Sequence, residues 1–354
     1  MTVAPYIQNI FTGFYPTKKV VVADPLKPAL RPSQLAAFKA LKNKRLTILD
    51  APTGWGKSLV IIFLIAWKLL LNKKLRCIIS VPQTVIGRNF IKGRDKTGDR
   101  DFLLKLPGMK GEHPWIVDND LCHYRAEDTI DTLIEFLSGK VSTLFGRRIL
   151  VCTHATLTLA YDRLQETKQM GLLKNLLVWI DEGHHVCNAQ VKDSDEIVSN
   201  RLGAFVTDCI KQGNSVNLAT ATYSRGDRLH IIPDKVRSKF TPFYMPWDRY
   251  LEKEAPIESF DFNLVFGDPF KSLDYLLKEN KVTTIYLARR SCRHAIHHKD
   301  YEVASILKTL AKGKRIKQDG PVLIAGGRRV LDLVSTNTQA KGKEYLTATM
   351  PRLT

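Results

Sequence analysis

The chain has 354 residues, a length that accommodates about two domains of ordinary size. Hydrophobic residues make up 44% and charged residues 25% of it, and these globular values exclude a chain that is disordered, collagen-like or coiled-coil throughout. Lysine and arginine number 54 against 35 for aspartate and glutamate, which gives a formal net charge of +19. Such an excess predicts a polyanionic partner, and nucleic acid is the first candidate.

The sequence gives no sign of a membrane partner. Its longest apolar run, residues 59–71, contains a lysine and is too short to cross a bilayer as a helix. The first residues lack the basic segment and apolar core of a signal peptide. We therefore expect a soluble intracellular protein in which residues 59–71 form a buried core helix.

Strands and helices alternate along most of the chain. Residues 1–30 contain several prolines and predict an irregular N-terminal extension, after which a helix is expected at 31–43 with Ser33 as its N-cap. Apolar strands are predicted at 45–51, 75–81, 147–153, 176–182 and 215–222, with helices at 126–138 and 195–212 among them. This alternation predicts an α/β fold with a mostly parallel sheet.

The stretch 240–250 interrupts this alternation. It is rich in aromatic residues and proline, and it predicts a connector that lies over a surface. Beyond it, strands at 282–289 and 320–326, with a helix at about 300–312 between them, predict the start of a second α/β domain.

A glycine-containing turn between the first predicted strand and the apolar helix is the first candidate site. Residues 51–58 read APTGWGKS. Glycines let successive backbone N–H groups point at phosphate oxygens, and the following helix adds its positive N-terminal end. Lys57 is placed to reach the outer phosphates of a nucleotide, and the Ser58 hydroxyl to bind Mg²⁺. An ordinary strand-to-helix turn is the alternative.

An acidic pair, Asp181 and Glu182, directly follows the apolar strand LLVWI and is the second candidate site. The carboxyl end of a parallel strand is where such sheets bind ligands. Two carboxylates in one site repel each other unless a cation intervenes, so we expect Asp181 to hold Mg²⁺ through water. Glu182 would position and deprotonate an attacking water. The alternative is a solvated acidic turn.

Small hydroxyl residues form the third candidate site, at the end of the strand predicted at 215–222. Thr220 and Thr222 are candidates for coupling the phosphate site to movement between domains. A plain strand terminus is the alternative, and the segment is weak evidence by itself.

Together, these segments resemble the DEAD/DEAH-box branch of superfamily-two helicases. The first motif of that family, AxTGxGK[ST], is matched by residues 51–58, and its S/T-A-T motif by residues 220–222. Asp181, Glu182 and His184 match its DExH box. RPSQ at 31–34 is similar to a family segment that contacts adenine, so Gln34 is the implied base-reading residue.

Three further segments are similar to those of the same family. Residues 80–90 and 151–157 resemble motifs Ia and Ib, which touch the nucleic-acid backbone. TATYSRGDR at 220–228 is similar to the helicase subunits of type III restriction enzymes. All of these motifs occur in the family's order.

The resemblance also implies a division into domains. These are an N-terminal extension at 1–30, a RecA-like ATP-binding lobe at 31–239, a connector at 240–280 and a partial second RecA-like lobe at 281–354. The family's second lobe carries a QxxGRxxR element, and the nearest string, at 326–329, lacks the glutamine. We therefore expect a truncated second lobe that another subunit or the rest of a longer chain completes.

The function implied by the resemblance is that of an ATP-dependent helicase or translocase, with nucleic acid, DNA rather than RNA, as its partner. Its implied cofactors are ATP and Mg²⁺. The implied nucleotide-binding residues are Gln34, Pro52, Thr53, Gly54, Trp55, Gly56, Lys57 and Ser58; the implied catalytic ones are Lys57, Asp181, Glu182 and His184.

Two alternatives stay open. The first is a module that binds nucleic acid and ATP but hydrolyses ATP poorly unless a partner supplies the missing arginine motif. The second is a P-loop small-molecule kinase or transporter-type ATPase, which the DExH box and the positive charge disfavour.

Overall fold

The computed structural model describes most of the chain, in two compact units. One unit spans residues 15–258, and the other combines residues 1–14 with 259–354. The described residues are 6–14, 26–91, 93–95, 98–117, 119–122, 126–139, 146–186, 188–190, 197–221, 237–254, 259–266, 299–319 and 322–331.

Short strands and helices make up these residues. The strands are β1 (Tyr6–Phe14), β2 (Leu46–Asp50), β3 (Arg76–Val81), β4 (Gly93–Asp95), β5 (Gly98–Arg100), β6 (Phe102–Leu104), β7 (His113–Trp115), β8 (Asn119–Asp120), β9 (Ile149–Thr153), β10 (Leu176–Ile180), β11 (Asn188–Gln190), β12 (Ile197–Ser199), β13 (Ser215–Thr220), β14 (Thr241–Tyr244), β15 (Ser259–Phe266), β16 (Lys317–Asp319), β17 (Val322–Ala325) and β18 (Arg328–Leu331). The α-helices are α1 (Pro32–Leu41), α2 (Lys57–Leu71), α3 (Thr84–Ile91), α4 (Ala126–Leu137), α5 (His154–Glu166), α6 (Arg201–Lys211), α7 (Trp247–Lys253) and α8 (Lys299–Ala311). Single 3-10 turns lie at Gly146–Arg148, Met170–Leu172 and Gly183–Val186.

A seven-stranded sheet organises the larger unit. Its strand order is β14-β2-β13-β10-β3-β9-β8, and each neighbouring pair is parallel. All seven strands therefore end at the same edge, which brings the loops that follow them together. The predicted α/β fold with a RecA-like parallel sheet is confirmed.

The core of this unit lies on both faces of the sheet. On one face, apolar side chains of the central strands pack with those of α4, α5 and α6 in a single buried cluster. On the other, α2 is buried on all sides from Val60 to Ala66, as the apolar run predicted. Within the described ranges, no helix has the length and apolar character needed to cross a membrane.

Two stretches of the larger unit differ from the sequence predictions. The supposed connector begins with β14, which pairs with the edge of the sheet along β2. Its prolines concealed this strand, but an edge strand tolerates proline where the missing N–H would face solvent. The helix predicted at 195–212 begins only at Arg201, where the Asn200 side chain accepts a hydrogen bond from the N–H of Gly203 at 2.7 Å.

The smaller unit contains antiparallel strands in its described part. β1 pairs with β15, so the prediction of an irregular stretch at 1–30 is wrong for Tyr6–Phe14, whose aromatic and β-branched residues suit a strand. β16, β17 and β18 form a three-stranded sheet, against which α8 packs through an apolar cluster. The strand predicted at 282–289 lies outside the described residues, and a RecA-like arrangement of this unit stays a prediction.

Candidate functional site

The turn at residues 51–58 curls at the carboxyl edge of the sheet, between β2 and α2. Gly54 and Gly56 have φ angles of +83° and +87°, in the left-handed region that favours glycine. Gly56 is the N-cap of α2, so Lys57 and Ser58 lie in the first turn of that helix. The Lys57 ammonium folds back over the loop and donates to the carbonyl oxygen of Ala51 at 2.9 Å.

The start of α1 holds this loop through Trp55. The carbonyl oxygen of Trp55 accepts hydrogen bonds from the Arg31 guanidinium and from Nε2 of Gln34, the latter at 2.8 Å. Its indole N–H donates to Oγ of Ser33 at 2.9 Å. Ser33 is therefore not the N-cap: α1 begins at Pro32 with Arg31 as its N-cap, and the Ser33 hydroxyl supports the loop instead.

Gln34 fits tightly against the same loop. Its side chain is only 2% exposed, and its Oε1 accepts from the backbone N–H of Arg31 at 2.9 Å. A Cβ added to Gly56 would lie 2.6 Å from Nε2 of Gln34. The loop and the RPSQ segment thus pack directly against each other. From the sequence, only the family resemblance suggested that these two segments are neighbours.

β14 and α7 support the loop from another side. The Trp55 ring is fully buried and stacks on Phe243 of β14 with ring centroids 6.2 Å apart. A Cβ added to Gly54 would lie 3.1 Å from the hydroxyl of Tyr250 in α7. Pro52 is buried beneath the loop, whereas Thr53 and Gly54 are exposed at its tip.

The acidic pair lies at the same edge of the sheet, after β10. Asp181 is only 7% exposed, and burial raises its pKa to about 6; the Glu182 carboxylate adds to this rise and Lys57 opposes it. Burial lowers the pKa of Lys57, and the carboxylates of Glu182, Asp181 and Asp50 counteract that fall. The lysine and three carboxylates therefore share one electrostatic environment; Lys57, Asp181 and Glu182 were predicted from the sequence as candidate site residues, but Asp50 was not.

The acidic pair continues into a tight turn against β13. Glu182 has a φ of +50°, which is uncommon for a residue with a side chain. Nδ1 of His184 lies 3.3 Å from Oε2 of Glu182 and 3.5 Å from Oγ1 of Thr220, which is buried. His184 therefore lies between the acidic turn and the end of β13. Thr222 falls outside the described residues.

His154 is a residue near this site to which the sequence gave no individual role. It opens α5 directly after β9, and burial lowers its pKa to about 4, so its imidazole is neutral at ordinary pH. Nε2 lies 3.0 Å from the carbonyl oxygen of Asp181, and Nδ1 lies 2.7 Å from Oγ of Ser80 in β3. Its position within the segment that resembles motif Ib was the one available signal.

A family comparison identifies this constellation. A model of the DEAD/DEAH box helicase family matches residues 31–228, which are more than half of the chain. The chain belongs to the DEAD/DEAH box helicase family. The matched residues include the loop at 51–58, the DExH turn and Thr220.

Individual helicases are similar to this chain as well. The putative ATP-dependent helicase YeeB of Bacillus subtilis (strain 168) is 25% identical over 288 residues, which cover 80% of this chain and 43% of that protein. The chain thus spans less than half the length of this relative.

Solved helicase structures show weaker likenesses. The UvsW helicase from Bacteriophage T4 matches with a TM-score of 0.32 and 16% identity, covering 66% of this chain and 63% of UvsW. The Hef helicase domain of Pyrococcus furiosus matches with a TM-score of 0.35 and 17% identity, covering 61% of this chain and 38% of Hef. With TM-scores this low, neither likeness supports a conclusion about this chain.

Proposed function

We propose that this helicase-family chain hydrolyses ATP with Mg²⁺ and couples hydrolysis to movement on nucleic acid. The observation that carries the proposal is the shared environment of Lys57, Asp181 and Glu182 at one edge of the sheet. The Lys57 ammonium, the buried Asp181 and the partly exposed Glu182 are the kinds of group that phosphoryl transfer needs. Because the substrates are ATP and nucleic acid, we expect the protein to act inside cells.

The loop fits the phosphates of ATP. Gly54 and Gly56 adopt left-handed backbone and place no Cβ at these two positions of the turn, and the N-terminal end of α2 favours an anion. In the proposed complex the Lys57 ammonium leaves the Ala51 carbonyl and binds the outer phosphates. Gln34, whose amide already holds Trp55, would read adenine only after a rearrangement of these hydrogen bonds, so its role is the least supported of the implied ones.

The acidic turn fits Mg²⁺. Oxygen ligands suit this ion, and Asp181 and Ser58 supply a carboxylate and a hydroxyl. Burial, and then the neighbouring Glu182 carboxylate, raise the pKa of Asp181, and a divalent cation bound beside it would favour the ionised carboxylate. When bound, the ion would neutralise charge on the phosphates as the terminal bond breaks.

Glu182 and the end of β13 supply the remaining roles. Glu182, less buried than Asp181, would orient the attacking water and accept its proton. His184, between Glu182 and Thr220, would transmit the state of the nucleotide to β13 and to Thr222 beyond it. The arginine that stabilises the transferred phosphate in such reactions would come from another subunit or a further part of a longer chain.

Nucleic acid, with DNA favoured over RNA, would lie along the strand ends that resemble motifs Ia and Ib. α3 and α5 both begin at this edge of the sheet, after the neighbouring strands β3 and β9. Helix N-termini and the excess of lysine and arginine suit phosphate contacts that do not read the base sequence.

The test is steady-state ATP turnover with and without single-stranded DNA or RNA. We expect the addition of nucleic acid to increase the rate, and Lys57→Ala to lower the stimulated rate by about 10²–10³-fold through loss of charge stabilisation. Lys211→Ala, which removes an exposed lysine on α6, is the matched control and should turn over normally. Unchanged turnover in Lys57→Ala would show that the site is assigned wrongly.

A further inference from the structure

His154 connects the strand ends assigned to nucleic acid with the acidic turn assigned to hydrolysis. Its side chain starts at the end of β9, crosses the end of β3 and reaches the turn after β10, and these strands are neighbours in the sheet. The segments that resemble motifs Ia and Ib follow β3 and β9. The imidazole of His154 therefore contacts both the strand ends proposed to bind nucleic acid and the acidic turn proposed to act in hydrolysis.

The hydrogen bonds fix the direction of each contact. A carbonyl oxygen only accepts, so Nε2 of His154 carries the proton and donates to Asp181 at 3.0 Å. Nδ1 is then the acceptor for the Ser80 hydroxyl at 2.7 Å. The Ser80 carbonyl in turn accepts from the backbone N–H of Asp181 at 2.9 Å.

These three bonds form a closed ring around the backbone of Asp181. Its N–H is held by Ser80 and its carbonyl by His154, so a shift of β3 or β9 changes the position of the Asp181 carboxylate directly. On the other side, Gly183 packs so closely on β13 that an added Cβ would lie 3.0 Å from Cβ of Leu218. The turn after β10 is thus held by β3 on one side and by β13 on the other, so a shift of β3 is expected to move it.

We propose that His154 is a positioning residue that couples nucleic-acid binding at the ends of β3 and β9 to the nucleotide site through Asp181. Although it lies in the segment that resembles motif Ib, its imidazole bonds to Ser80 and to the Asp181 carbonyl, and we expect it to act through these bonds and not by contact with either ligand. This inference rests on the proposed function, because it takes the nucleotide and nucleic-acid sites as given. It adds the residue through which each ligand changes the affinity of the other.

The experiment measures that mutual effect without turnover. The dissociation constant of fluorescein-labelled poly(dT) is determined by anisotropy with and without AMPPNP and Mg²⁺, and the ratio of the two values is the coupling factor. We expect a coupling factor of about 5–150 in the unmodified chain, a range typical of coupled sites. In His154→Ala the coupling factor should fall to near one, while each ligand still binds on its own.

Two further variants separate positioning from mere packing. In His154→Asn the amide can replace Nδ1 but does not reach Asp181, so the coupling factor should fall as in His154→Ala. In His154→Gln the amide N–H can take the place of Nε2 and restore part of the coupling. Thr167→Ala, which loses only a side-chain bond at the end of α5, should leave the coupling factor unchanged.

The outcomes distinguish the two proposals. If the unmodified chain binds neither AMPPNP nor poly(dT), the proposed function fails. If it binds both but shows no coupling, or if His154→Asn retains full coupling, the role of His154 is wrong while the function stands. Equal loss in the Asn and Gln variants would also overturn the role, because the bond to Asp181 would then make no difference.

Discussion

The two lysines of α2 lie at opposite edges of the same sheet and differ in their surroundings. Lys57, at the start of the helix, bonds to a loop carbonyl and faces the carboxylates of Glu182 and Asp181. Lys68, near the end, is 9% exposed and donates to the Lys44 carbonyl at 2.7 Å and to Oδ1 of Asn217 at 3.0 Å. Burial lowers its pKa to about 8.

The difference separates the edge around Lys57, which is functional in our proposal, from a structural edge around Lys68. Around Lys68 the polar groups satisfy one another: Oγ1 of Thr47 donates to Asn217 at 2.7 Å, and Nδ2 of Asn217 donates to the Val178 carbonyl at 3.1 Å. Around Lys57, by contrast, three carboxylates and the left-handed backbone of Gly54 and Gly56 lie close together. Changes at the functional edge should therefore trade stability against activity, and changes at the structural edge should only lose stability.

The largest expected effect on stability is that of Asp181→Asn. The pKa of Asp181 is about 6 in the folded chain and 3.8 ordinarily, so its ionisation destabilises the fold above pH 6. The asparagine stays neutral, and we expect it to raise the free energy of unfolding at pH 8 by on the order of 3 kcal/mol. ATP turnover should be lost.

Urea denaturation at several pH values checks this expectation. The advantage of Asp181→Asn should shrink as the pH falls through 6, because the wild-type carboxyl then takes up its proton. Asp131→Asn, which alters an exposed carboxylate, should show no comparable change. If Asp181→Asn is less stable than wild type at pH 8, then the Asp181 carboxylate does not destabilise the fold, and the contrast drawn between the two edges of the sheet is wrong.

The next effect is that of Lys68→Met at the structural edge. The Lys44 carbonyl loses its buried donor, so we expect the free energy of unfolding to fall by about 1–3 kcal/mol. The KM for ATP should not change, because the network lies at the far end of α2. Denaturation curves together with ATP titrations measure both. A stability equal to that of wild type would show that the network contributes nothing.

The smallest of the three expected effects is that of the substitution Gly56→Ala. A left-handed conformation costs a residue with a Cβ about 1–2 kcal/mol, and here the methyl group would also meet the Gln34 amide. We expect the substituted loop to relax out of this conformation, and because ATP binding would have to restore it, the affinity for a fluorescent ATP analogue should fall by roughly 5–30-fold. Gly171→Ala, at an open position without left-handed backbone, is the control. Equal binding by both variants would refute strain in the loop.

The sheet and the order of its loops could be predicted from sequence because apolar runs and glycine turns are local signals. The strands β2, β3, β9, β10 and β13 all fall within the predicted ranges. β1 and β14 were missed, since both lie among prolines and β1 pairs with β15 of the smaller unit, far along the chain. The residues of β1 suit a strand, but the partners with which β1 and β14 pair lie far away in the sequence, and a single sequence does not reveal them.

The candidate site shows the same division. Lys57, Asp181 and Glu182 were predicted because their residue types and spacing carry the chemistry. The contacts of Trp55 with Ser33 and of His154 with Ser80 were not, because they join residues 22 and 74 positions apart. Such contacts depend on which strands are neighbours, and a single sequence gives no register between distant segments.

The indole of Trp55 also bears on how much of the chain is needed to hold the proposed nucleotide loop in its observed shape. Its ring needs Ser33 on one side and Phe243 on the other, and the family match, residues 31–228, includes only the first. A fragment trimmed to the family boundaries would leave one face of this ring uncovered. If the loop binds ATP as proposed, we expect a minimal ATP-binding fragment to extend beyond β14, because the stacking of Trp55 on Phe243 requires that strand.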